Sequence, residues 1–489
     1  MQFHSIPSKI AIIVMITTLL TSSMIISKTM AMIKKNAYSD TYVYYGYVPP
    51  STDIGDQVVE LINGTYYNYT PPSGTALLDI LGLEDNAHFK VIDLSTRMSI
   101  VEGRVDKLKK FTYFIPHGTF FKVVSDKRVL VHLCGGSEYL SMGAYGFYPS
   151  VKGGFRGKEF IIIPETIYYD SVNILWTGRN LLLMGLSKGD FEVRDSINKW
   201  STKGSLDQHA VKDYFGWARR YPGTEDIGPG YSMIFYVKSS GDIQIAAATT
   251  GGFTAVPAVT GGFVGKLFFC PVYIGFAEAG ITASLVIVPL EPCEVVIYDN
   301  SLNEIARKKF SDSDIEKDAF WFYPMGNVKR FIIIKSSGDV TVLAGTTYGS
   351  ESPEYLGDDI TFIGARPNQF IKFYAPTSAV LFTIEDTNVI IDGVKRYLKA
   401  DSYILLDRGV HSVKADKLVI IEILGVSTGW YSWGSYLISP VDVLASFEVP
   451  EGFGEKKSGV NLLLVASVAV VVIVIAIFVL YRKGIIGRK

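Results

Sequence analysis

Lys238-Ser239-Ser240-Gly241-Asp242 runs on through Ile243, Ile245 and Ala247 to Thr249-Thr250, and Lys335-Ser336-Ser337-Gly338-Asp339 runs on through Val340, Val342 and Ala344 to Thr346-Thr347. Each reads as a polar turn between two apolar strands. Gly-Asp offers the φ > 0 and the side-chain hydrogen bonding of a tight hairpin. Looser copies are Val124-Ser125-Asp126-Lys127-Arg128-Val129 and Val413-Lys414-Ala415-Asp416-Lys417-Leu418. Four copies of one element predict a fold built by repetition.

Working outward, other landmarks recur at roughly one-hundred-residue spacing, the size of one small β domain. Pairs of strands end in Asp: Leu77 to Leu83 then Phe89 to Asp93, Leu181 to Leu186 then Phe191 to Asp195, Leu285 to Leu290 then Val295 to Asp299, and Val380 to Ile384 then Val389 to Asp392. Aromatic segments turn at Pro116-His117-Gly118, Pro324-Met325-Gly326 and Asp407-Arg408-Gly409 as hairpins. Strands also end at Pro164, Pro271 and Pro376, where the missing N–H costs least. No amphipathic helix is evident between Ala76 and Pro450, which excludes parallel α/β folds with their crossover helices.

The reading is therefore an all-β fold of tandem antiparallel β-sandwich-like repeats plus one C-terminal transmembrane helix, with a β-propeller as the alternative. The divisions are a signal peptide (1–31), a Tyr-rich extracellular segment (32–75), repeats at 76–170, 171–280, 281–376 and 377–447, a linker (448–459), the span (460–481) and a basic tail (482–489). The second repeat carries an insertion at 198–229.

Both ends are hydrophobic. Lys9, an apolar run from Ile10 to Ile26 and the small-residue site Thr29-Met30-Ala31 have the form of a secretory signal; an uncleaved signal anchor is the alternative. From Val460 to Tyr481 the chain is almost wholly apolar and uncharged. A helix of that length covers about 30 Å, a bilayer core. Arg482, Lys483, Arg488 and Lys489 follow, so the tail is expected in the cytoplasm and the repeats outside.

The 489 residues carry a formal charge of −1, which gives nucleic acid no basic face to meet. Cys270 and Cys293 lie near strand ends of one repeat, so a disulfide between them and a pair of buried free thiols are both open readings. Asn63-Gly64-Thr65 and Asn68-Tyr69-Thr70 are N-glycosylation acceptors. The neighbouring tyrosines could stack on sugars or simply pack as strand residues.

Asp93, Asp195, Asp299 and Asp392 recur in every repeat. Catalytic carboxylates come as one pair in one cleft, so these read as turn formers. Asp312, Asp314, Glu316 and Asp318 alternate like the ligands of a calcium loop but lack its glycine and spacing, and read as a solvated loop. No Gly-x-Ser-x-Gly or His-Glu-x-x-His element nominates a nucleophile or a zinc. No catalytic, cofactor or metal residue is therefore assigned.

Gly409-Val410-His411-Ser412-Val413, the strand Leu418 to Leu424 and Trp430-Tyr431-Ser432-Trp433-Gly434-Ser435-Tyr436, with the Ser-Asp and Gly-Asp elements, resemble the IgGFc-binding-type N-terminal β repeats of secreted and surface proteins. The resemblance covers roughly Ala76 to Tyr436 and implies an adhesive or ligand-binding module rather than an enzyme. The overall plan is similar to that of a prokaryotic or archaeal cell-envelope protein.

The expected role is a membrane-anchored cell-surface protein whose repeats mediate adhesion, ligand binding or envelope assembly. Its expected partners are the membrane, envelope proteins or surface glycans, and a second copy of itself. The alternative is an anchored extracellular hydrolase of glycans or peptides, using Asp207, Asp213, Glu225 and Asp226 of the insertion. A solute-capturing receptor subunit is a third reading.

Overall fold

The computed structural model describes residues 41–49, 58–62, 65–69, 72–134, 146–162, 167–169, 175–177, 180–195, 201–214, 234–248, 252–272, 281–326, 330–348, 352–357, 359–425 and 435–445. These are almost entirely antiparallel strands, and they form four copies of one sandwich.

Each copy has six consecutive core strands. In unit one they are Thr75–Gly82, Ala87–Asp93, Ser99–Val105, Lys110–Pro116, Phe120–Ser125 and Val129–Cys134. The first, fourth and sixth share one sheet, and the second, third and fifth share the other. Unit four repeats this with Ser378–Thr383, Thr387–Ile391, Val394–Leu398, Ser402–Leu406, Gly409–Ala415 and Val419–Leu424. In units two and three the fifth and sixth strands fuse into one long strand, Phe235–Ala248 and Arg330–Tyr348.

The Gly-Asp elements are therefore not hairpins. In units one and four the strands on either side of the element lie in different sheets, and in units two and three the element sits within one long strand whose two halves pair with different partners; in each case it is the corner at which the partners change. Gly241 and Gly338 do not have a left-handed φ. They are glycine for close approach: a Cβ on Gly241 would stand 2.7 Å from the Lys188 carbonyl oxygen, and one on Gly338 2.9 Å from Cys293 Cβ. A polar side chain at each corner accepts a hydrogen bond from a backbone N–H of the second strand: Asp126 from His88, Ser240 from Asp190, Ser337 from Glu294 and Asp416 from Asn388. The aromatic segments are corrected in the same way. Lys110–Pro116 pairs with the first strand and Phe120–Ser125 with the second, so Pro116-His117-Gly118 also turns between sheets.

Two flanking strands complete each sandwich, one beside the sixth strand and one beside the fifth. They are Gly146–Phe147 and Gly157–Ile162 in unit two, Phe253–Ala255 and Gly265–Val272 in unit three, and Ile360–Ala365 and Phe370–Ala375 in unit four. Of the proline landmarks, Pro271 lies on the outer flank of unit three, the strand beside the fifth, Pro376 directly follows that of unit four, and Pro164 lies outside the described residues. Pro271 is the second-last residue of Gly265–Val272, beyond the bridge that Phe268 makes with Ala258 on the strand's other side.

Unit one takes its flanks from the two ends of the described chain. Tyr42–Tyr47 pairs with its fifth strand and Ser435–Ile438 with its sixth. The Tyr-rich segment is thus partly integral to the first sandwich, and Ser435–Ile438 belongs to unit one rather than unit four.

The units close into a ring through one repeated contact. The sheet holding the first, fourth and sixth strands packs on the outer flank and fifth strand of the next unit. From one to two, Leu81 and Leu130 join a core with Phe160 and Phe235. From two to three, His209 meets Phe269, centroids 5.2 Å apart. From three to four, Phe320 meets Tyr374 at 4.9 Å, and Thr341 Oγ1 donates to the Lys372 carbonyl at 2.6 Å. From four back to one, Phe382 meets Tyr45 and Tyr403 stacks on Phe120 at 3.8 Å. The inner flanks pack around the axis, where Ala255 N–H donates to Thr361 Oγ1. The repeat unit is sandwich-like, and the four units follow one another in a closed circuit of contacts.

Part of the apparent insertion at 198–229 is ordinary repeat: Ser201–Leu206 and Val211–Tyr214 are the third and fourth strands of unit two. Residues 215–229 lie outside the described residues. The acidic loop near 312 is a one-turn helix, Asp312–Glu316, in which Asp314 accepts from the Ser311 N–H and hydroxyl. A second short helix, Val441–Ala445, packs on Ile360–Ala365. Among the described residues no helix is long and apolar enough to cross a membrane; residues 1–31 and 460–481 lie outside them.

Replacing Gly241 with alanine should lower stability by about 1–3 kcal/mol, because the new methyl overpacks the corner against Lys188. Thermal unfolding of Gly241→Ala beside the parent measures this.

Candidate functional site

Three places in the ring concentrate polar chemistry. The first lies in unit one, on the sheet facing unit two. Asp79 and His132 are cross-strand partners and both are buried. Lys110 Nζ stands 3.1 Å from Asp79 Oδ2, and the Thr112 hydroxyl donates to Asp79 Oδ1. The matching positions elsewhere are mostly apolar: Leu182 and Ala246 in unit two, Val286 and Leu343 in unit three, Val380 and Glu422 in unit four. Removing one partner of a buried pair leaves the other charge uncompensated.

The second place is the seam that closes the ring. Glu422 is 1% exposed, and its Oε2 accepts the Tyr47 N–H at 2.8 Å. Burial pushes its carboxyl well above the usual range, and the Tyr47 N–H offsets this only in part. Beside it, Tyr45 donates its hydroxyl to Asp401 at 2.6 Å, and Lys122 Nζ stands 2.9 Å from the same carboxylate. Burial raises the Asp401 pKa, but the Tyr45 hydroxyl, Lys122 and Arg97 outweigh it and hold the group below its ordinary value. Burial, then the Asp401 contact, drives the Tyr45 phenol up. Tyr47, Phe120 and Tyr403 form a continuous stack, with centroids 4.4 and 3.8 Å apart.

The third is the outward face of the second and third strands. Units one to three cross it with charge ladders centred on a carboxylate. Glu102 meets His88 and Lys90, Glu192 meets Arg194 and Lys203, and Glu294 meets Arg307 and Lys309. His88, Arg194 and Arg307 respectively are the main reason each carboxyl is held low. On unit two this face forms an open depression of about 500 Å³, lined by Glu192, Lys203, Lys238 and Ser239 among others. Unit four departs: its corresponding rows are Asn388 with Tyr397, and Lys395, Ile390 and Lys414.

The residues singled out from sequence are dispersed. Asn68 lies on the strand Thr65–Tyr69, paired with Val58–Ile62, and Asn63 lies outside the described residues. Cys270 and Cys293 are both buried free thiols. They do not pair, for a geometric reason. Cys270 stands opposite Ile332, and Cys293 packs beside Gly338 on the other flank of the same long strand. Six residues of strand span about 20 Å, whereas a disulfide needs Cα atoms about 4.4–6.8 Å apart.

Asp93 and Asp299 accept N–H bonds from the turn that follows each, Ser95 and Thr96 in one case and Ser301 and Asn303 in the other. Asp392 accepts the Ser412 N–H and faces His411 Nδ1, while His411 Nε2 faces the Asp407 carbonyl. The Gly-x-His element is thus a latch between two turns. Asp207 is an exposed turn residue paired with Lys188, Asp213 lies on the fourth strand of unit two, and Glu225 and Asp226 lie outside the described residues. Val460 and Tyr481 also lie outside them. Among the described residues no group of three or more His, Cys, Asp or Glu could hold a metal. Sequence reasoning missed Asp79, Lys110, His132 and Glu422. The available signal was a charged residue within an apolar strand, as in Leu77-Leu78-Asp79-Ile80-Leu81 and Val419-Ile420-Ile421-Glu422-Ile423.

No protein-family model matches the chain, and no curated protein does. Among solved structures, a conserved protein of unknown function from Pseudomonas aeruginosa is 12% identical, with 35% of this chain and 84% of that one covered and a TM-score of 0.13. Dimeric latent PorU from Porphyromonas gingivalis is 8% identical, covering 82% of this chain and 30% of that one at a TM-score of 0.12. The structure of infectious bursal disease virus, Gx strain, is 9% identical, covering 82% of each at 0.11. Likenesses of this size carry no argument about fold or function.

Two outcomes follow from the buried groups. Asp79→Ala should cost about 3–5 kcal/mol in chemical denaturation, since it strands the buried Lys110 ammonium. For Glu422 the folded pKa lies above the unfolded one, so the folded state holds the proton longer. Stability is then fully retained below the unfolded pKa, declines as pH rises above it, and levels off beyond the folded pKa. Glu422→Gln keeps an acceptor for Tyr47 and should remove that decline, so the variant should unfold at higher temperature than the parent at neutral pH and match it in mild acid.

Proposed function

We propose that the chain is a membrane-anchored cell-surface protein whose ring of sandwiches is a rigid head for adhesion, ligand binding or envelope assembly. The observation that carries this reading is that both ends of the described chain meet in unit one, Tyr42–Tyr47 on one sheet and Ser435–Ile438 on the other. A head closed in this way can be held from one side while the outer sheets of its units remain free for contact.

Beyond Ala445 the sequence continues through residues 446–459 into the apolar run from Val460 to Tyr481, which has the length and composition of a membrane span. The basic residues after it favour a cytoplasmic tail and an external ring. The contacts proposed for the head are with envelope proteins, surface glycans or a second copy. Asn63 and Asn68 are proposed glycan acceptors on that external side.

Alkaline carbonate extraction of cell membranes tests the anchor. The full chain should remain in the membrane pellet, a chain ending at Ala445 should be released, and protease added to intact cells should digest the ring. Release of the full chain by carbonate would overturn the reading.

A further inference from the structure

The outward face of unit four differs from its three counterparts in a single direction. Its row Lys395, Ile390, Lys414 is the counterpart of Arg307, Val296, Lys335 in unit three, where Arg307 meets Glu294 and Glu304, and of the glutamate-bearing rows Glu102-Lys90 and Lys203-Glu192 in units one and two. Among the described residues neither lysine meets an acidic side chain. Beside them on this face stand Tyr397, 60% exposed, Phe370, 41%, and Ile390, 40%. With Val394, which lies across from Ile391 on the opposite face, half of the large hydrophobic side chains exposed on the described surface belong to this one sheet. The acids at its rim are occupied, Asp386 by the Tyr397 hydroxyl and the Ala400 N–H and Asp416 by Asn388.

A flat sheet that mixes uncompensated lysines with exposed aliphatic and aromatic side chains matches an anionic bilayer surface. The ammonium groups meet lipid phosphates while Tyr397, Ile390 and Phe370 enter the headgroup layer. The position fits as well. The described chain leaves from the helix Val441–Ala445, which packs on the first flank of unit four. Residues 446–459, even fully extended, span at most about 50 Å, so a bilayer holding Val460 to Tyr481 lies within reach of this unit.

We propose that the outer sheet of unit four, through Lys395, Lys414, Tyr397 and Ile390, rests on the anionic lipid surface of the membrane that anchors the chain. This rests on the anchored reading above, and the experiment separates the two. The full chain, with Tyr397 replaced by p-benzoylphenylalanine, is reconstituted into vesicles of phosphatidylcholine alone or mixed with phosphatidylglycerol. A control carries the photoprobe at Ser205, the matching position of unit two. The samples are floated, irradiated and analysed by mass spectrometry.

The expected result is flotation on both vesicle types and lipid adducts at position 397 on the mixed vesicles only. Each of Lys395→Gln and Lys414→Gln should lower the adduct yield about fivefold. Flotation with equal yields at 397 and 205, or with yields indifferent to phosphatidylglycerol, overturns the face and leaves the anchor standing. Adducts to a second chain instead of lipid overturn it in favour of an interface between copies. Failure to float overturns the anchor and the face together.

Discussion

The fold depends on one sheet in each unit that has no face left for water. The strand Thr75–Gly82 is buried at every residue, as are Ile360–Ala365 and Val419–Leu424. One face of such a sheet fills its own sandwich and the other must be covered by a neighbour. At about 25 cal/mol per Å² of apolar surface, leaving that second face open would be costly for a small sandwich. Each unit therefore requires the next, and the fourth has only the first to turn to. Circular closure follows from the burial pattern rather than from any special closing device.

Closure brings its own polar demands, and they fall at the seam. Covering the outer face of unit four with Tyr42–Tyr47 removes Glu422 and the Tyr47 N–H from water together, and each then serves the other. Tyr44 is fully buried on the opposite side of that strand, where its hydroxyl donates to the Val129 carbonyl and accepts the Val129 N–H. The Asp401 carboxylate is shared by Tyr45 and Lys122 of unit one. Ionisable groups also serve other contacts: Lys372 of unit four pairs with Asp318 of unit three, and Lys110 with Asp79 on the sheet facing unit two.

Much of this was legible in the sequence. Leucine-rich strands followed by Asp-ended strands, at a constant spacing, marked all four units. The corners were misread because Ser-Gly-Asp has the same local chemistry whether the chain folds back or crosses to the facing sheet; only the pairing partners distinguish the two. Ser201-Thr202-Lys203-Gly204-Ser205-Leu206 looked like a loop because an exposed third strand carries few apolar residues. Unbroken apolar runs such as Leu181-Leu182-Leu183-Met184 carry the signal of strands buried on both faces, but that signal was not read, and a circular arrangement entered only as the propeller alternative. The buried charges Asp79 and Glu422 were visible as interruptions of such runs, but which neighbour covers them is a property of the assembly.

The strand Ser435–Ile438 completes a sandwich whose other strands were made more than three hundred residues earlier. During synthesis units two, three and four can each assemble as their strands emerge, since all their parts are contiguous. Unit one cannot. The edge of Val129–Cys134 stays open until the last strand has left the ribosome, and the Tyr42–Tyr47 flank lacks its cover until unit four exists. The first unit translated is thus the last to finish, and for most of the chain's synthesis its exposed edge is a place where a second nascent copy could donate the missing strand.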